Sequence, residues 1–117
     1  MAIQEAFTVD NAQKLSRNQL SWRAAQEIEE GWYVNLGIGL PTLCTNFIPA
    51  DREVVLHSEN GILGAGPNPP KGEEDRDLIN ASKEYITLVK GASVFVHSDA
   101  FAMIRGGHID LALLGAF

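Results

Sequence analysis

Apolar and polar residues change their spacing several times along this chain. Leu20, Ala24, Ala25 and Ile28 recur at helical intervals between about Leu15 and Glu30, and Gly31 follows as a natural stop, which predicts an amphipathic helix. Trp32 to Leu36 reads as a short strand. The loop Gly37-Ile38-Gly39-Leu40-Pro41-Thr42 comes next, then a brief helix through Leu43, Cys44 and Phe47. Pro49-Ala50-Asp51 turns the chain into a second strand from Glu53 to His57. Residues 61–76 carry four glycines and three prolines, so they are expected to lack regular structure. A turn of helix over Asp77–Lys83 leads to strand-like stretches at Ile86–Val89 and Val94–Val96. Ser98 or Asp99 caps a helix through Phe101, Met103 and Ile104, which ends at Gly106-Gly107. His108 to Leu114 reads as the last strand.

Strands alternating with short helices predict an α/β domain over residues 15–117, its sheet mostly parallel with short helices on its faces. Residues 1–14 show no period and read as an N-terminal arm. An apolar strand with no closing helix after it looks like an open sheet truncated at its C-terminus. The expectation is that this chain is a fragment, or that another chain completes its core.

Composition narrows the function classes. At 117 residues there is one domain's worth of sequence. A net charge of −6 argues against nucleic acid or an anionic membrane as partner. An anionic substrate would then depend on local cations, for which Lys71, Lys83, Lys90 and Arg105 are candidates. No apolar run reaches membrane-spanning length, and the opening MAIQEAFTVDN lacks the features of a signal peptide, so the expected location is cytoplasmic. Cys44 is the single cysteine, which leaves no internal disulfide and reads as a small buried residue.

Two stretches carry possible chemistry. Gly37-Ile38-Gly39 stands between a strand and a helix, where glycines let backbone N–H groups face an anion; a tight turn explains it equally well. A dinucleotide fold shares this GxG and an acid about twenty residues on. Thr42, however, stands where the third glycine belongs, Pro41 intrudes, and the following helix is too short. The second stretch, VLHSENGILGAGP (55–67), ends an apolar strand on Glu59 and continues through Asn60 and Gly61. Glu59 could serve as a base, a nucleophile, a metal ligand or a plain surface acid. Metal is disfavoured because His97 and His108 lack ligand spacing. A lone acid among glycines suits a nucleophilic carboxylate.

NLGIGLPT (35–42), LHSENGILGAGP (56–67), DLINA (77–81) and FAMIRGGHIDLALLGAF (101–117) together resemble the B subunit of family I coenzyme A transferases, of the succinyl-CoA:3-oxoacid and 3-oxoadipate type. The resemblance runs from about residue 15 to the end, and SENG with its glycine-rich continuation is its most specific part. It implies transfer of coenzyme A from an acyl-CoA to a 3-oxoacid by a ping-pong route, with Glu59 as the nucleophile that carries CoA as a thioester. Gly37 and Gly39 would line the cleft near the CoA chain, and Asn60 would orient the glutamate or its adducts. Gly61, Gly64 and Gly66 would let backbone and the pantetheine arm approach Glu59. No metal or other cofactor is implied, since the thioester is itself a substrate. Proteins of this type continue past LLGAF through a GMGGAMDL segment and work in a hetero-oligomer with an A subunit. The resemblance therefore implies little activity for these residues alone.

Overall fold

The computed structural model describes residues 14–116, so the expected N-terminal arm lies outside the described residues except for Lys14. The first helix, α1 (Arg17–Ala25), opens with Ser16 as its N-cap. Gln19 N–H donates to the Ser16 hydroxyl at 3.1 Å, and Ser16 N–H donates back to the Gln19 side chain at 2.8 Å. The helix stops at Ala25, short of the expected Glu30. Arg52 explains this, because its Nη1 donates to the Ile28 carbonyl at 2.6 Å and holds the next residues in a turn. Ala25 and Ile28 are fully buried, but Leu20 of the expected stripe is 44% exposed.

Five strands follow: β1 (Tyr33–Leu36), β2 (Val55–Ser58), β3 (Ile62–Ala65), β4 (Leu88–Val94) and β5 (Leu111–Leu113). A 3-10 helix (Leu40–Phe47) joins β1 to β2, with Pro41 in its first turn, and α2 (His97–Arg105) joins β4 to β5. The strands form one sheet in the order β4-β3-β2-β1-β5. β1 runs parallel to both β2 and β5, with Asn35 opposite His57 and Val34 opposite Leu111. β3 is antiparallel to both β2 and β4. The α/β class holds, but the sheet is mixed rather than mostly parallel. Its parallel character is confined to β5, β1 and β2.

The glycine-rich stretch makes that difference. The expectation there is irregular chain, yet β3 forms inside it, because Gly61 (φ 117°) lets the chain fold straight back after β2. Gly64 (φ 94°) then lies within the irregular register between Leu63 and Ala65. The two strand-like stretches expected at 86–89 and 94–96 are one strand, β4, which passes through Gly91.

The helical turn expected over Asp77–Lys83 is absent. An antiparallel bridge between Ile79 and Tyr85 forms instead, closed by the Asn80 side chain, whose Oδ1 accepts from the Ser82 and Glu84 N–H groups at 2.9 and 3.0 Å. Asn favours such local turns over helix, which is the competing tendency here. α2 begins one residue before the expected cap: Val96 takes the N-cap position without a side-chain bond, and Asp99 lies in the first turn. The final strand shortens to Leu111–Leu113 because Asp110 is occupied in bonding Tyr33, its carboxylate accepting from the Tyr33 N–H at 2.8 Å.

The main core lies on one face of the sheet. Val34 and Leu36 of β1 pack there with Ala25, Ile28 and Cys44, flanked by Leu56, Leu111 and Leu113. Burial pushes the Cys44 thiol above its ordinary pKa, as suits a packing residue rather than a reactive one. Residues alternate faces along a strand, so Asn35 and His57 point to the other face.

Candidate active site

Open sheets bind ligands beyond the carboxyl ends of their parallel strands. β1, β2 and β5 end together at Leu36, Ser58 and Leu113, and the two stretches with possible chemistry leave from the first two of these ends. Carrying the β1–β2 register two steps past Asn35 and His57 sets Gly37 abreast of Glu59. The structure therefore brings the GxG loop and the acid to one edge.

Glu59 and Asn60 sit at the tip of a three-residue hairpin loop. Ser58 pairs with Ile62 across β2 and β3, and Gly61 N–H donates to the Ser58 carbonyl at 2.9 Å. The Glu59 side chain is half-buried, and among the described residues it makes no hydrogen bond or ion pair. Its neighbour is tied down. Asn60 accepts a hydrogen bond from the Ser58 hydroxyl and donates through Nδ2 to the Ile79 carbonyl at 2.7 Å. The turn is thus anchored at Asn60 and presents Glu59 unengaged.

The glycines divide into two groups. Gly61 has the backbone of Phe95 against it: a Cβ there would overlap the Phe95 carbonyl oxygen, and Phe95 N–H donates to the Gly61 carbonyl at 2.9 Å. A Cβ at Gly64 would lie 3.0 Å from the side chains of both Val89 and Ala92, and one at Gly66 would lie 2.5 Å from the Thr87 hydroxyl. Gly37 similarly packs against the Leu113 carbonyl, 3.0 Å from where its Cβ would be. Close packing within the chain accounts for these four. Gly39 differs, with φ 84° and open space beside it, while its N–H donates to the Ser82 hydroxyl at 2.8 Å.

Residues 78–86 thus form an excursion that touches both stretches, through Ser82 on Gly39 and through Ile79 on Asn60. At its tip stands Lys83, the only non-glycine residue with positive φ (63°) among those described. In the sequence Lys83 is merely one of four candidate cations. The ties that single it out depend on contacts distant in sequence.

A cleft of about 380 Å³ opens beside the hairpin, with Leu36, Leu56, Ile48 and Ile86 among its apolar walls and Ser58 and Asn80 among its polar ones. Glu59 borders this space through Ser58 rather than lining it. Among the described residues, Glu84 is its only charged wall residue. Among the described residues no three His, Cys, Asp or Glu side chains gather as a metal-binding group, and no helix is long and apolar enough to cross a membrane. The long helix that a dinucleotide fold needs after GxG is replaced by the 3-10 helix, and β2 continues into a hairpin.

One buried polar pair escapes sequence reasoning. Asn35 (0% exposed) and His57 (1% exposed) face each other across β1 and β2, with His57 Nδ1 2.9 Å from Asn35 Oδ1. Among the described residues, Asn35 Nδ2 and His57 Nε2 are buried without a partner at good hydrogen-bond geometry, each a cost of roughly 1–3 kcal/mol. Burial pushes the His57 pKa below its ordinary value, with the Ala100 backbone offsetting part of the effect. A group whose folded pKa is depressed contributes stability that is fully present above its unfolded pKa and is lost as pH falls through the folded one. Urea unfolding free energies are therefore expected to fall as the pH drops below about 6.5, the ordinary histidine value, and to fall less in His57→Gln. An equal slope in both proteins would show that His57 titrates alike in the folded and unfolded chain and contributes nothing to the acid sensitivity.

Known proteins match this same segment of the chain. The family model described as "Coenzyme A transferase" matches residues 17–117. The chain is 60% identical over 104 residues to the B subunit of 3-oxoadipate CoA-transferase from Acinetobacter baylyi, covering 89% of this chain and 48% of that protein. It is 61% identical over 102 residues to the B subunit of the probable succinyl-CoA:3-ketoacid coenzyme A transferase of Bacillus subtilis, covering 87% and 47%. The mitochondrial succinyl-CoA:3-ketoacid coenzyme A transferase 2 of Homo sapiens is 55% identical over 101 residues, covering 86% of this chain and 20% of the human protein. The chain thus spans about half the length of the bacterial B subunits it matches.

Proposed function

Because this chain belongs to the coenzyme A transferase family, we propose that it supplies the nucleophilic half of a transferase site that moves CoA from an acyl-CoA to a 3-oxoacid. The observation that carries this reading is Glu59, a half-buried carboxylate left unengaged on an anchored turn at the carboxyl edge of the parallel strands.

Glu59 attacks the thioester carbonyl; the C–S bond breaks and CoA leaves as a thiolate, giving an acyl-glutamyl anhydride. The thiolate then attacks the glutamyl carbonyl, which forms the Glu59–CoA thioester and releases the donor acid as its carboxylate. The acceptor acid reverses both steps. Each step conserves one activated acyl bond, so no further cofactor is called for. A carboxylate is a weak nucleophile, and rate must come from positioning and from donors at each oxyanion. The Gly39 N–H is one candidate donor once Ser82 gives way, and the Lys83 ammonium supplies positive charge for a carboxylate substrate. The cleft, with apolar walls and a negative charge at Glu84, suits an uncharged chain such as pantetheine better than an anion. Succinyl-CoA is the favoured donor, and acetoacetate or 3-oxoadipate the favoured acceptor, from the names of the relatives.

The same relatives are named as B subunits, which supports an A-type partner for this chain in a hetero-oligomer. Since the chain spans about half of their length, full turnover is expected only when that partner and the remaining B-type sequence are present. The test of the ping-pong route is an exchange experiment on that assembly. Isotopically labelled succinate should enter succinyl-CoA with no 3-oxoacid present. Label that moves only when both acids are present would overturn the covalent route.

Lys83→Gly separates charge from backbone strain. Removing a side chain from left-handed backbone relieves about 1 kcal/mol, which the entropy of glycine roughly offsets. Melting temperature is expected to change little while the apparent affinity for the acid falls about tenfold, a loss typical of one charge-assisted hydrogen bond. Unchanged affinity would remove Lys83 from the site.

A further inference from the structure

The Asn35–His57 pair has no role in the chemistry described above, yet it occupies two buried sheet positions where apolar residues would cost less. Its neighbours suggest what it does. Asn35 stands two residues before Gly37, and His57 two residues before Glu59, so the hydrogen bond between them joins the roots of the two active-edge loops. The His57 ring stacks on Phe95, with centroids 6.0 Å apart and planes 27° from parallel. Phe95 in turn holds the far end of the Glu59 turn through its backbone bond to Gly61. These contacts close a ring from His57 to Phe95, Phe95 to Gly61 and back through Glu59 to His57, with Asn35 bonded to it at His57. Both ends of the turn that presents Glu59 rest on a single residue, Phe95.

The geometry points to Asn35, His57 and Phe95 as a brace that positions the Glu59 turn against the Gly37–Gly39 loop. His57 is a positioning residue and does not touch the reacting atoms. The backbone ladder aligns β1 with β2 and the Asn60–Ile79 bond anchors the tip of the turn, but neither fixes how the turn sits over the end of β1. Stacking on Phe95 and bonding to Asn35 remove that freedom. Catalysis by a weak nucleophile is sensitive to displacement on this scale, where about 1 Å can cost on the order of a hundredfold in rate. The inference rests on the reading of Glu59 as nucleophile, although the brace itself has a readout that does not depend on it.

The test uses the double variant Asn35→Leu/His57→Leu, which removes both polar partners together and so leaves neither one buried alone. Replacing both halves of a buried polar pair by apolar groups can be nearly neutral for stability. Its melting temperature is therefore expected to lie near wild type, while amide exchange at Gly61 and Phe95 accelerates at least about tenfold. In the assembled enzyme, adduct formation should slow by about tenfold to a hundredfold, a larger factor than any change in the apparent affinity for acyl-CoA from the His57 wall of the cleft. His57→Gln, which keeps a bond to Asn35 but loses the stacking, should give intermediate exchange and intermediate rates, and it serves equally if the double variant does not fold. Wild-type exchange at Gly61 in either folded variant would overturn the brace. If the wild-type assembly forms no Glu59-dependent adduct, the nucleophile reading fails separately, and faster exchange at Gly61 still supports the brace.

Discussion

Replacing Glu59 by glutamine is expected to abolish the covalent CoA adduct and to lower turnover of the assembled enzyme at least about a thousandfold. The amide is close in size and shape, but it cannot attack the thioester as a carboxylate does. Folding should be almost untouched. The Glu59 side chain makes no hydrogen bond or ion pair among the described residues, so the change in unfolding free energy should stay within about 0.5 kcal/mol. Loss of chemistry with retention of stability distinguishes a nucleophile from a residue that shapes the turn. The measurements are steady-state turnover with acyl-CoA and 3-oxoacid, and urea unfolding of the same preparation.

Gly61→Ala should do the opposite. Its φ of 117° is a conformation that side chains rarely adopt, and the new methyl would overlap the Phe95 carbonyl. Strain of roughly 1–3 kcal/mol adds to an overpacking penalty of similar size, so a loss of roughly 2–6 kcal/mol is expected. For a domain of ordinary stability that is a large fraction of the total. Gly39→Ala provides the contrast. Its φ is also positive, but the space beside it is open, so only the backbone strain of about 1–2 kcal/mol applies. Denaturant midpoints should rank wild type, then Gly39→Ala, then Gly61→Ala. Equal midpoints for the two variants would mean that the hairpin tolerates displacement of Phe95, and the proposed anchoring of the turn would be wrong.

Much of the fold is legible where a local signal and the tertiary demand agree. The strands at Tyr33–Leu36 and Val55–Ser58 follow from short apolar runs bounded by turn residues, and Glu59 stands out as an acid at a strand end. Legibility fails where glycine and asparagine have two meanings. In residues 61–76 the glycines read as breakers and as room for a ligand. Gly61, Gly64 and Gly66 instead let β3 lie close to the chain of β4, a requirement visible only once Phe95, Ala92 and Thr87 are in place. Asn80 lies in a stretch that reads as helix, whereas its side chain closes a turn through two backbone N–H groups. The Asn35–His57 pair leaves no local signal either. Its meaning depends on a parallel register between residues 22 positions apart.

The central claim is that Glu59 itself carries CoA. Its most direct test is to incubate the assembled enzyme with acyl-CoA alone, digest it under mildly acidic conditions, and locate the adduct by tandem mass spectrometry. The thioester should map to Glu59 in the peptide containing Ser58-Glu59-Asn60-Gly61, and be absent from Glu59→Gln. An adduct on another residue, or the same adduct in Glu59→Gln, would contradict it.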